Sequence, residues 1–274
     1  MLPGFWWHKI AQYPIINYHF WWYSFFASSV MQHIKWRIGC SGFHYREWKE
    51  IFYPKGLPQR LWFDHYAQHF NTLEINNTFY KFPEQKLFDN WYIKAPDNFT
   101  FAVKVPRIIT HYRKFKETEK LLEDFYFIAR EGLKEKLGPI LFQCPPSMKY
   151  DEEMLMRIIR QMSILHLNVI EFRHISWWRK DVFEALQKAD ITFCGVSFPG
   201  LINDAVAGLP LAYYRFHGVP KLYYSKYDDA FLGDIAKQIS NSITKEAYVY
   251  FNNTASAAAL DNARFLQYFI ATNS

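Results

Sequence analysis

Charged side chains recur at alternate positions inside short apolar segments of this 274-residue sequence. Glu74 lies in TLEIN, Lys104 in FAVKV, Glu171 and Arg173 in VIEFR, and Arg215 in YYRFH. Carboxylates of this kind can act as general acid and base, whereas lysine and arginine bind and stabilise anionic groups. The segments therefore predict a site that combines acid–base chemistry with anion binding.

Four histidines occur close to the ends of the same segments, namely His44, His111, His174 and His217. Together with Glu74 or Glu171 they could hold a divalent metal, since imidazole and carboxylate do so in open catalytic sites. These four residues show neither H-x-x-x-H nor H-E-x-x-H spacing. A divalent metal is therefore possible but not favoured, and the cofactor stays unknown.

These candidate residues need elements that bring them together, and the chain alternates apolar runs with segments of helical periodicity. The predicted strands are Ile34 to Cys40, Thr72 to Asn76, Thr100 to Val105, Ile140 to Cys144, Val169 to Arg173, Ile191 to Val196, Ala212 to His217 and Tyr248 to Asn252. The predicted helices are Pro58 to Phe70, Pro83 to Lys94, Thr118 to Leu137, Asp151 to Leu165, Trp178 to Ala189, Asp228 to Ile243 and Ser256 to Ile270. Pro58 and Pro83 suit a first turn, and Thr118 and Asp151 are predicted N-caps.

Eight strands followed by helices predict a single α/β domain, a (β/α)8 TIM-type barrel of roughly 250 residues with a short or missing sixth helix. The sixth connection, 198–210, is too short and turn-rich for a full helix. A doubly wound open sheet is the alternative fold. Its nucleotide-binding version loses support because no glycine-rich phosphate loop follows the first strand.

Alternation along a strand assigns each side chain to one face of the predicted barrel. The charged residues, together with His217, fall on the interior face near the carboxyl ends of the strands, where the active sites of such barrels are built. The helix-facing set is predicted to contain Leu73, Ile75, Phe101, Val103, Ile140, Phe142, Ile170, Phe172, Tyr214 and Phe216. The alternative to a functional site is a satisfied structural network such as Glu171 with Arg173 or Arg215.

Composition sets broad limits on partners and location. The formal charge of +6 mildly favours anionic partners, without the concentrated basic runs of a nucleic-acid arm. Cys40, Cys144 and Cys194 have no C-x-x-C spacing, so they indicate neither a disulfide framework nor a zinc knuckle, and a cytoplasmic location is expected.

The first thirty residues differ from the rest of the chain. Residues 11–30 contain no Lys, Arg, Asp or Glu and carry an aromatic cluster. Pro14, Asn17 and His19 keep the apolar run well below the roughly 18 residues that span a bilayer, so no stable membrane insertion is expected. Residues 1–30 are predicted to be an extraneous or poorly ordered extension before a barrel domain at 31–274, with a signal or interfacial anchor as the alternative.

A series of motifs carries a family resemblance. They are IGCSGFHYREWKEIFYPKG at 38–56, LEINNTFYKFP at 73–83, FAVKVPRIITH at 101–111, LGPILFQCPPS at 137–147, VIEFRHISWW at 169–178, YRFHG at 214–218 and YVYFNNTASAAALDNA at 248–263. In their order and amino-acid sequence these motifs resemble those of the YecE-like proteins, the domain-of-unknown-function family seventy-two, over residues 34–270. The resemblance implies a TIM-barrel-like fold and leaves the reaction open.

The resemblance also places the polar motif positions of the family on this chain. They fall on Ser41, Glu74, Asn76, Tyr80, Lys104, Gln143, Glu171, Arg173, His174, Arg215, His217, Asn252 and Asn253. Of these, Glu74, Lys104, Glu171 and His217 are the catalytic candidates, and the others are candidates for substrate binding. The family pattern predicts an acidic residue after the sixth strand, but this chain has GVSFP at 195–199.

Three functions remain open from the sequence. The leading hypothesis is an enzyme, a hydrolase or lyase, acting on an anionic, phosphate-bearing small molecule at the carboxyl ends of the strands. The second is a nucleic-acid-binding or repair protein, for which barrel relatives supply only an analogy of fold. The third is a non-catalytic ligand sensor.

Overall fold

The structure, a computed structural model, describes residues 34–273. The prediction for residues 1–30 therefore lies outside the described residues. Within residues 34–273, no helix combines the length and the apolar character needed to cross a membrane. Cys40, Cys144 and Cys194 are buried free thiols.

The predicted apolar runs form parallel strands. They are β1 Lys35–Cys40, β2 Thr72–Ile75, β3 Thr100–Lys104, β4 Leu137–Gln143, β5 Asn168–Glu171, β6 Thr192–Phe193, β7 Gly195–Ser197, β8 Leu211–Phe216 and β9 Glu246–Phe251. Every paired strand is parallel to its neighbour. The sixth predicted strand does not form one continuous strand, because it divides into β6 and β7 at Cys194.

The helices follow the predicted segments but are shorter at most ends. They are α1 Trp62–Ala67, α2 Gln85–Lys94, α3 Glu119–Leu133, α4 Glu152–Gln161, α5 Lys180–Lys188, α6 Asp229–Ser240 and α7 Ala258–Asn273. Pro58 precedes a short 3-10 turn, Gln59–Leu61, that leads into α1. The described segment 198–210 contains no helix.

The two predicted N-caps have different outcomes. The Asp151 carboxylate accepts a hydrogen bond from the Met154 N–H, which confirms the cap of α4. Thr118 takes the N-cap position of α3, as predicted, but its side chain makes no capping hydrogen bond there. Its hydroxyl donates to Oε1 of Gln161, the last residue of α4, at 2.6 Å.

Backbone pairing within the described residues forms two parallel sheets and no closed ring of hydrogen bonds. One sheet has the order β1-β9-β8-β7, and the other has the order β2-β3-β4-β5-β6. Cys194 joins them through the chain, since β6 pairs with β5 while β7 pairs with β8. The arrangement is a TIM-barrel-like α/β fold.

A tyrosine hydroxyl occupies the other junction between the sheets. The Tyr66 hydroxyl, from α1, accepts the Cys40 N–H at 2.8 Å and donates to the Thr72 carbonyl oxygen at 2.9 Å. It therefore links β1 to β2 by a side chain where a direct backbone bond would close the sheet. Tyr66 is fully buried, so both bonds are shielded from water.

The side chains of the strands separate into two apolar clusters, as the alternation predicts. The larger cluster contains all ten residues of the predicted helix-facing set. The smaller contains Ala102, Leu141, Val169, Cys194, Tyr213, Tyr248 and Tyr250, which lie on the interior face. Five of its members are each followed two residues later by a predicted polar site position, namely Lys104, Gln143, Glu171, Arg215 and Asn252. The interior face therefore changes from apolar to polar toward the carboxyl ends of the strands.

Candidate functional site

A cavity of about 900 Å³ opens where the strands end. Glu74 of β2, the last residues of β3 and β4, and Arg215 of β8 all reach its lining. Ser41, the residue directly after β1, also lines the cavity. Parallel strands place their carboxyl ends at one edge, so residues far apart in sequence converge there.

Arg215 is the centre of the site's ion pairs. Its Nη2 lies 2.6 Å from Oε1 of Glu74, and its Nη1 lies 2.5 Å from Oε2 of Glu171. The Arg215 side chain is 1% exposed, and both carboxylates are fully buried. The arginine therefore bonds β2 to β5 across the interior, which places both predicted carboxylates in one network.

Both carboxylates are held ionised. Burial raises the pKa of Glu74, but the charge and hydrogen bonds of Arg215 and a bond from the Tyr213 hydroxyl outweigh it and keep this pKa below its ordinary value. Burial likewise opposes ionisation of Glu171, yet Arg173 and Arg215 hold its pKa well below the usual range. Neither group retains a proton at neutral pH, so neither is suited to be a general acid in this state.

His217 lies behind the arginines as a neutral imidazole. Burial, Arg173 and Arg215 lower its pKa to about 3. Its Nε2 is 3.1 Å from Nη2 of Arg173, and a guanidinium can only donate, so Nε2 accepts and Nδ1 carries the proton. Nδ1 is 2.9 Å from Nδ2 of Asn252, so the Asn252 amide must be turned by 180° for its oxygen to accept that proton.

Lys104 differs from Arg173 and Arg215 because none of the described carboxylates pairs with its ammonium group. Its Nζ donates to Oε1 of Gln143 at 2.8 Å and lies 3.8 Å from the centre of the Phe79 ring. Within residues 34–273, no carboxylate oxygen lies within 4 Å of it. Burial lowers the pKa of Lys104 most, and Arg215 lowers it further, to about 7, against the opposite influence of Glu171 and Glu74.

The outer part of the cavity is cationic and aromatic. Arg107 is half-buried, and its guanidinium carbon lies 5.6 Å from the Tyr80 ring and 5.3 Å from the Tyr112 ring. Both tyrosines are exposed on the outside, at 69% and 63%. A planar or anionic group entering the cavity would meet this edge first.

The structure brings most of the predicted site residues to the cavity. Ser41, Glu74, Asn76, Tyr80, Lys104, Gln143, Arg173, Arg215 and Asn252 line it. Glu171 and His217 lie behind the arginines and are absent from the lining. His174 accepts from the Ser176 N–H at the start of a 3-10 turn, and Asn253 donates to Asn262 Oδ1 and the Ser225 carbonyl, so both are bonded elsewhere.

Two lining residues, Arg107 and Tyr112, were not among the predicted site positions, and His111 was predicted only as a candidate metal ligand. Arg107, His111 and Tyr112 belong to the segment after β3, of which 108–112 form a π-helical turn. Burial, Lys104 and Arg173 lower the pKa of His111 to about 4, so it is neutral at pH 7. The motif FAVKVPRIITH contains two of these residues, but the strand pattern carries no information beyond its last residue. Within residues 34–273, no group of three or more His, Cys, Asp or Glu side chains could hold a metal ion.

The position after the sixth strand has a different side chain from the acid that the resemblance predicts. The Arg173 guanidinium carbon stacks 4.2 Å from the centre of the Phe198 ring. The ring also contacts His217 edge-on, with centroids 5.8 Å apart. Phe198 therefore supports Arg173 by a cation–π contact.

The two parallel sheets and the charged cavity at their carboxyl edge define a TIM-barrel-like α/β protein with an internal polar site. A family model, described as "Protein of unknown function DUF72", matches residues 37–273. The chain therefore belongs to the DUF72 family, which confirms the resemblance found in its motifs.

Relatives and solved structures agree with this assignment. The chain is 25% identical over 264 residues to UPF0759 protein YunF of Bacillus subtilis, which covers 83% of this chain and 92% of YunF. It is 29% identical over 82 residues to UPF0759 protein YecE of Escherichia coli, which covers 30% of each. The crystal structure of the DUF72 family protein TM1631 from Thermotoga maritima matches with a TM-score of 0.74 at 29% identity, covering 88% of this chain and 100% of that one.

Proposed function

We propose that this protein is an enzyme, a hydrolase or lyase, that acts on an anionic, phosphate-bearing small molecule in the cavity. The observation that carries the proposal is the charge of the lining. Four cations, Lys104, Arg107, Arg173 and Arg215, line the cavity, and Glu74 is the one Asp or Glu among the described residues of its lining. Glu74 and the buried Glu171 pair with Arg215 and Arg173, so the excess positive charge of the site comes from Arg107 and from the protonated fraction of Lys104.

Unpaired polar atoms support a ligand in this cavity. Among residues 34–273, the Nε of Arg215, the Oδ1 of Asn76 and the Nε1 of Trp91 are buried without a hydrogen-bond partner, and all three residues line the cavity. A buried polar atom left unpaired costs roughly 1 to 3 kcal/mol, so a further partner for these atoms, such as a water molecule or a ligand atom, would be stabilising. An acceptor group of an anion would satisfy the guanidinium.

The proposed architecture is a single eight-unit barrel that holds this site rigidly. Arg215 in one sheet bonds Glu74 and Glu171 in the other, and the Thr72 and Tyr250 hydroxyls lie 2.5 Å apart across the same two sheets. Together with the Tyr66 bridge, these contacts support two sheets that act as halves of one barrel. In this arrangement β6 and β7 count as one strand.

The test is direct binding of inorganic phosphate and phosphate esters, measured by calorimetry, with Arg107→Ala as the variant. Arg107 has no carboxylate partner among the described residues, so its loss should leave folding intact and weaken phosphate binding about tenfold, the worth of one charged contact. Arg113→Ala is the matched control, since Arg113 is exposed, follows on the same segment and lies outside the lining. Equal affinities in all three proteins would contradict the proposal.

Turnover separates the enzyme from a sensor. Ligands released from freshly purified protein can be identified by mass spectrometry and returned to the protein while nuclear magnetic resonance follows their conversion. Bound ligand that is never converted by the wild-type protein would favour the non-catalytic sensor.

Nucleic acid is a second candidate partner, favoured by the contacts of Arg107 with the exposed rings of Tyr80 and Tyr112. Such an edge could stack on an unpaired base. Binding to several backbone phosphates weakens steeply with salt, while one phosphate in a cavity responds less. A steep salt dependence of oligonucleotide binding, together with no affinity for small phosphate esters, would favour this second function.

A further inference from the structure

Lys104 is placed for covalent chemistry rather than for charge alone. It is the last residue of β3, its side chain is buried, and it lines the cavity. One side-chain oxygen, from Gln143, accepts from its ammonium group, and the Phe79 ring covers one side. The cavity is the remaining direction from which a reactant can approach the nitrogen.

A second buried lysine shows what a purely structural role requires. Lys136, just before β4, is 5% exposed, and its Nζ donates to the carbonyl oxygens of Tyr92 at 3.0 Å and Ala95 at 2.7 Å. Lys136 is not part of the cavity lining. Two backbone acceptors hold its ammonium group in place, whereas Lys104 has a single neutral acceptor and two arginines nearby.

The neighbours of Lys104 favour its neutral amine. Arg173 and Arg215 add positive charge, and their carboxylate partners, Glu74 and Glu171, are already bonded to them. Burial and Arg215 bring the pKa of Lys104 to about 7, so a substantial fraction of the amine is unprotonated at neutral pH. An unprotonated amine in a desolvated pocket is the form that attacks carbonyl groups.

We propose that Lys104 is a nucleophile that forms a Schiff base with an aldehyde or ketone group of an anionic substrate. The inference rests on the proposed function, because Arg107, Arg173 and Arg215 would bind the anionic group of the substrate. The neutral amine attacks the carbonyl carbon, a C–N bond forms, and a proton moves from nitrogen to oxygen. The resulting hydroxyl takes a proton from solvent and leaves as water, which gives a protonated imine.

The imine defines the reaction class. Its positive nitrogen can accept the electron pair released when a C–C or C–H bond breaks at the neighbouring carbon. No oxidant, reductant or metal is needed for this step. The assignment therefore favours the lyase alternative over the hydrolase within the proposed function.

Reductive trapping tests the proposal. Glyceraldehyde 3-phosphate, glyoxylate and uncharged glyceraldehyde are incubated separately with the full chain at pH 7 and reduced with borohydride, and the modified lysines are located by peptide mass spectrometry. We expect Lys104 to be modified at least about tenfold faster than the exposed Lys180, and faster by the anionic aldehydes than by glyceraldehyde. Comparison of the first two probes shows whether phosphate or carboxylate is preferred.

Two substitutions provide the controls. Lys104→Arg keeps the cation and removes the nucleophile, so the adduct in that peptide should disappear, with Lys104→Met as a second variant if the arginine disturbs folding. Lys136→Arg should leave the modification of Lys104 unchanged. Modification of Lys104 no faster than that of Lys180 would overturn the assignment.

Equilibrium binding distinguishes this failure from failure of the proposed function. If glyceraldehyde 3-phosphate binds to wild type and to Lys104→Arg but no adduct forms in wild type, the nucleophile is overturned and the anion site stands. If it binds to neither and no adduct forms, both are overturned.

Discussion

Buried cations lie at both ends of the strands, but their bonding partners differ between the two ends. At the amino end, Arg37 bonds Glu246 at 3.3 Å and the Asn98 carbonyl at 2.8 Å, and Lys136 bonds two further carbonyl oxygens. At the carboxyl end, Arg215 pairs two carboxylates but keeps an Nε without a partner among residues 34–273. A 900 Å³ cavity lies beside it.

A buried charge alone therefore does not indicate function. Backbone carbonyl oxygens complete the bonding of Arg37 and Lys136 at the amino end. A functional interpretation needs the additional features of the carboxyl end: an open volume, an excess of one charge and polar atoms that the protein leaves unpaired. Substitutions at the two ends should therefore have distinct consequences.

The largest expected effect is on stability at Arg215. Arg215→Met leaves Glu74 and Glu171 buried without their shared partner, so we expect a loss of roughly 3 to 5 kcal/mol in the free energy of unfolding. Arg37→Met at the amino end should cost roughly 1 to 2 kcal/mol, because its partner Glu246 is 26% exposed and can be hydrated. Urea denaturation followed by circular dichroism measures both. Equal losses would remove the energetic distinction between the two ends.

The residues of this network could be predicted from the sequence, but not their bonds. Strand alternation assigned Glu74, Glu171 and Arg215 to the interior because a period of two needs no tertiary information. Which oxygen meets which guanidinium depends on the register of strands separated by 141 residues, as for Arg215 and Glu74. The predicted alternative of a satisfied network therefore describes the carboxylates correctly, while the unpaired Nε and the cavity fit the functional prediction.

Other features of the fold could not be predicted from the sequence, for different reasons. The Tyr66 bridge between β1 and β2 depends on a helical side chain entering the space between two strands. The π-helical turn at 108–112 that places Arg107 and Tyr112 has no periodic pattern of its own. Helices and strands follow local patterns, whereas these features depend on close contacts between distant segments.

The second prediction concerns the two buried lysines. The pKa of Lys104 is about 7 in the folded protein, against an ordinary value of 10.5. Between these two pH values the unfolded chain binds more protons than the folded protein, so the free energy of unfolding rises with pH. Below pH 7 the penalty of burying the charge is fully present. Lys104→Met should therefore stabilise the protein by roughly 2 to 4 kcal/mol at pH 6, with the gain shrinking toward pH 10.

Lys136→Met is the matched substitution at the amino end, and it should destabilise the protein. It leaves the carbonyls of Tyr92 and Ala95 without their donor, which costs roughly 1 to 3 kcal/mol. Thermal or urea unfolding across pH 6 to 10 measures both variants. A Lys104→Met protein less stable than wild type at every pH would contradict the contrast.

The third prediction is the acid dependence that His217 creates. Its pKa is lowered from 6.5 to about 3, so below pH 6.5 the unfolded chain takes up a proton that the folded protein does not. Wild type should therefore lose roughly 1 to 2 kcal/mol of stability between pH 6.5 and 5 through this group. His217→Gln should flatten that part of the profile, whereas His174→Gln, which lies outside the cavity, serves as the control. Identical acid limbs in wild type and His217→Gln would contradict the neutral imidazole.

The smallest expected effect is at the exposed edge of the cavity. Tyr80→Ala should change the free energy of unfolding by less than about 0.5 kcal/mol, because the ring is 69% exposed. Removing a stacking surface should weaken binding of a nucleoside monophosphate by roughly 1 kcal/mol and leave inorganic phosphate unaffected, since phosphate has no ring to stack. Calorimetry with the two ligands makes the comparison. An equal loss for both would mean that Tyr80 acts by supporting Arg107 rather than by stacking, and no loss for either would restrict recognition to the buried cations.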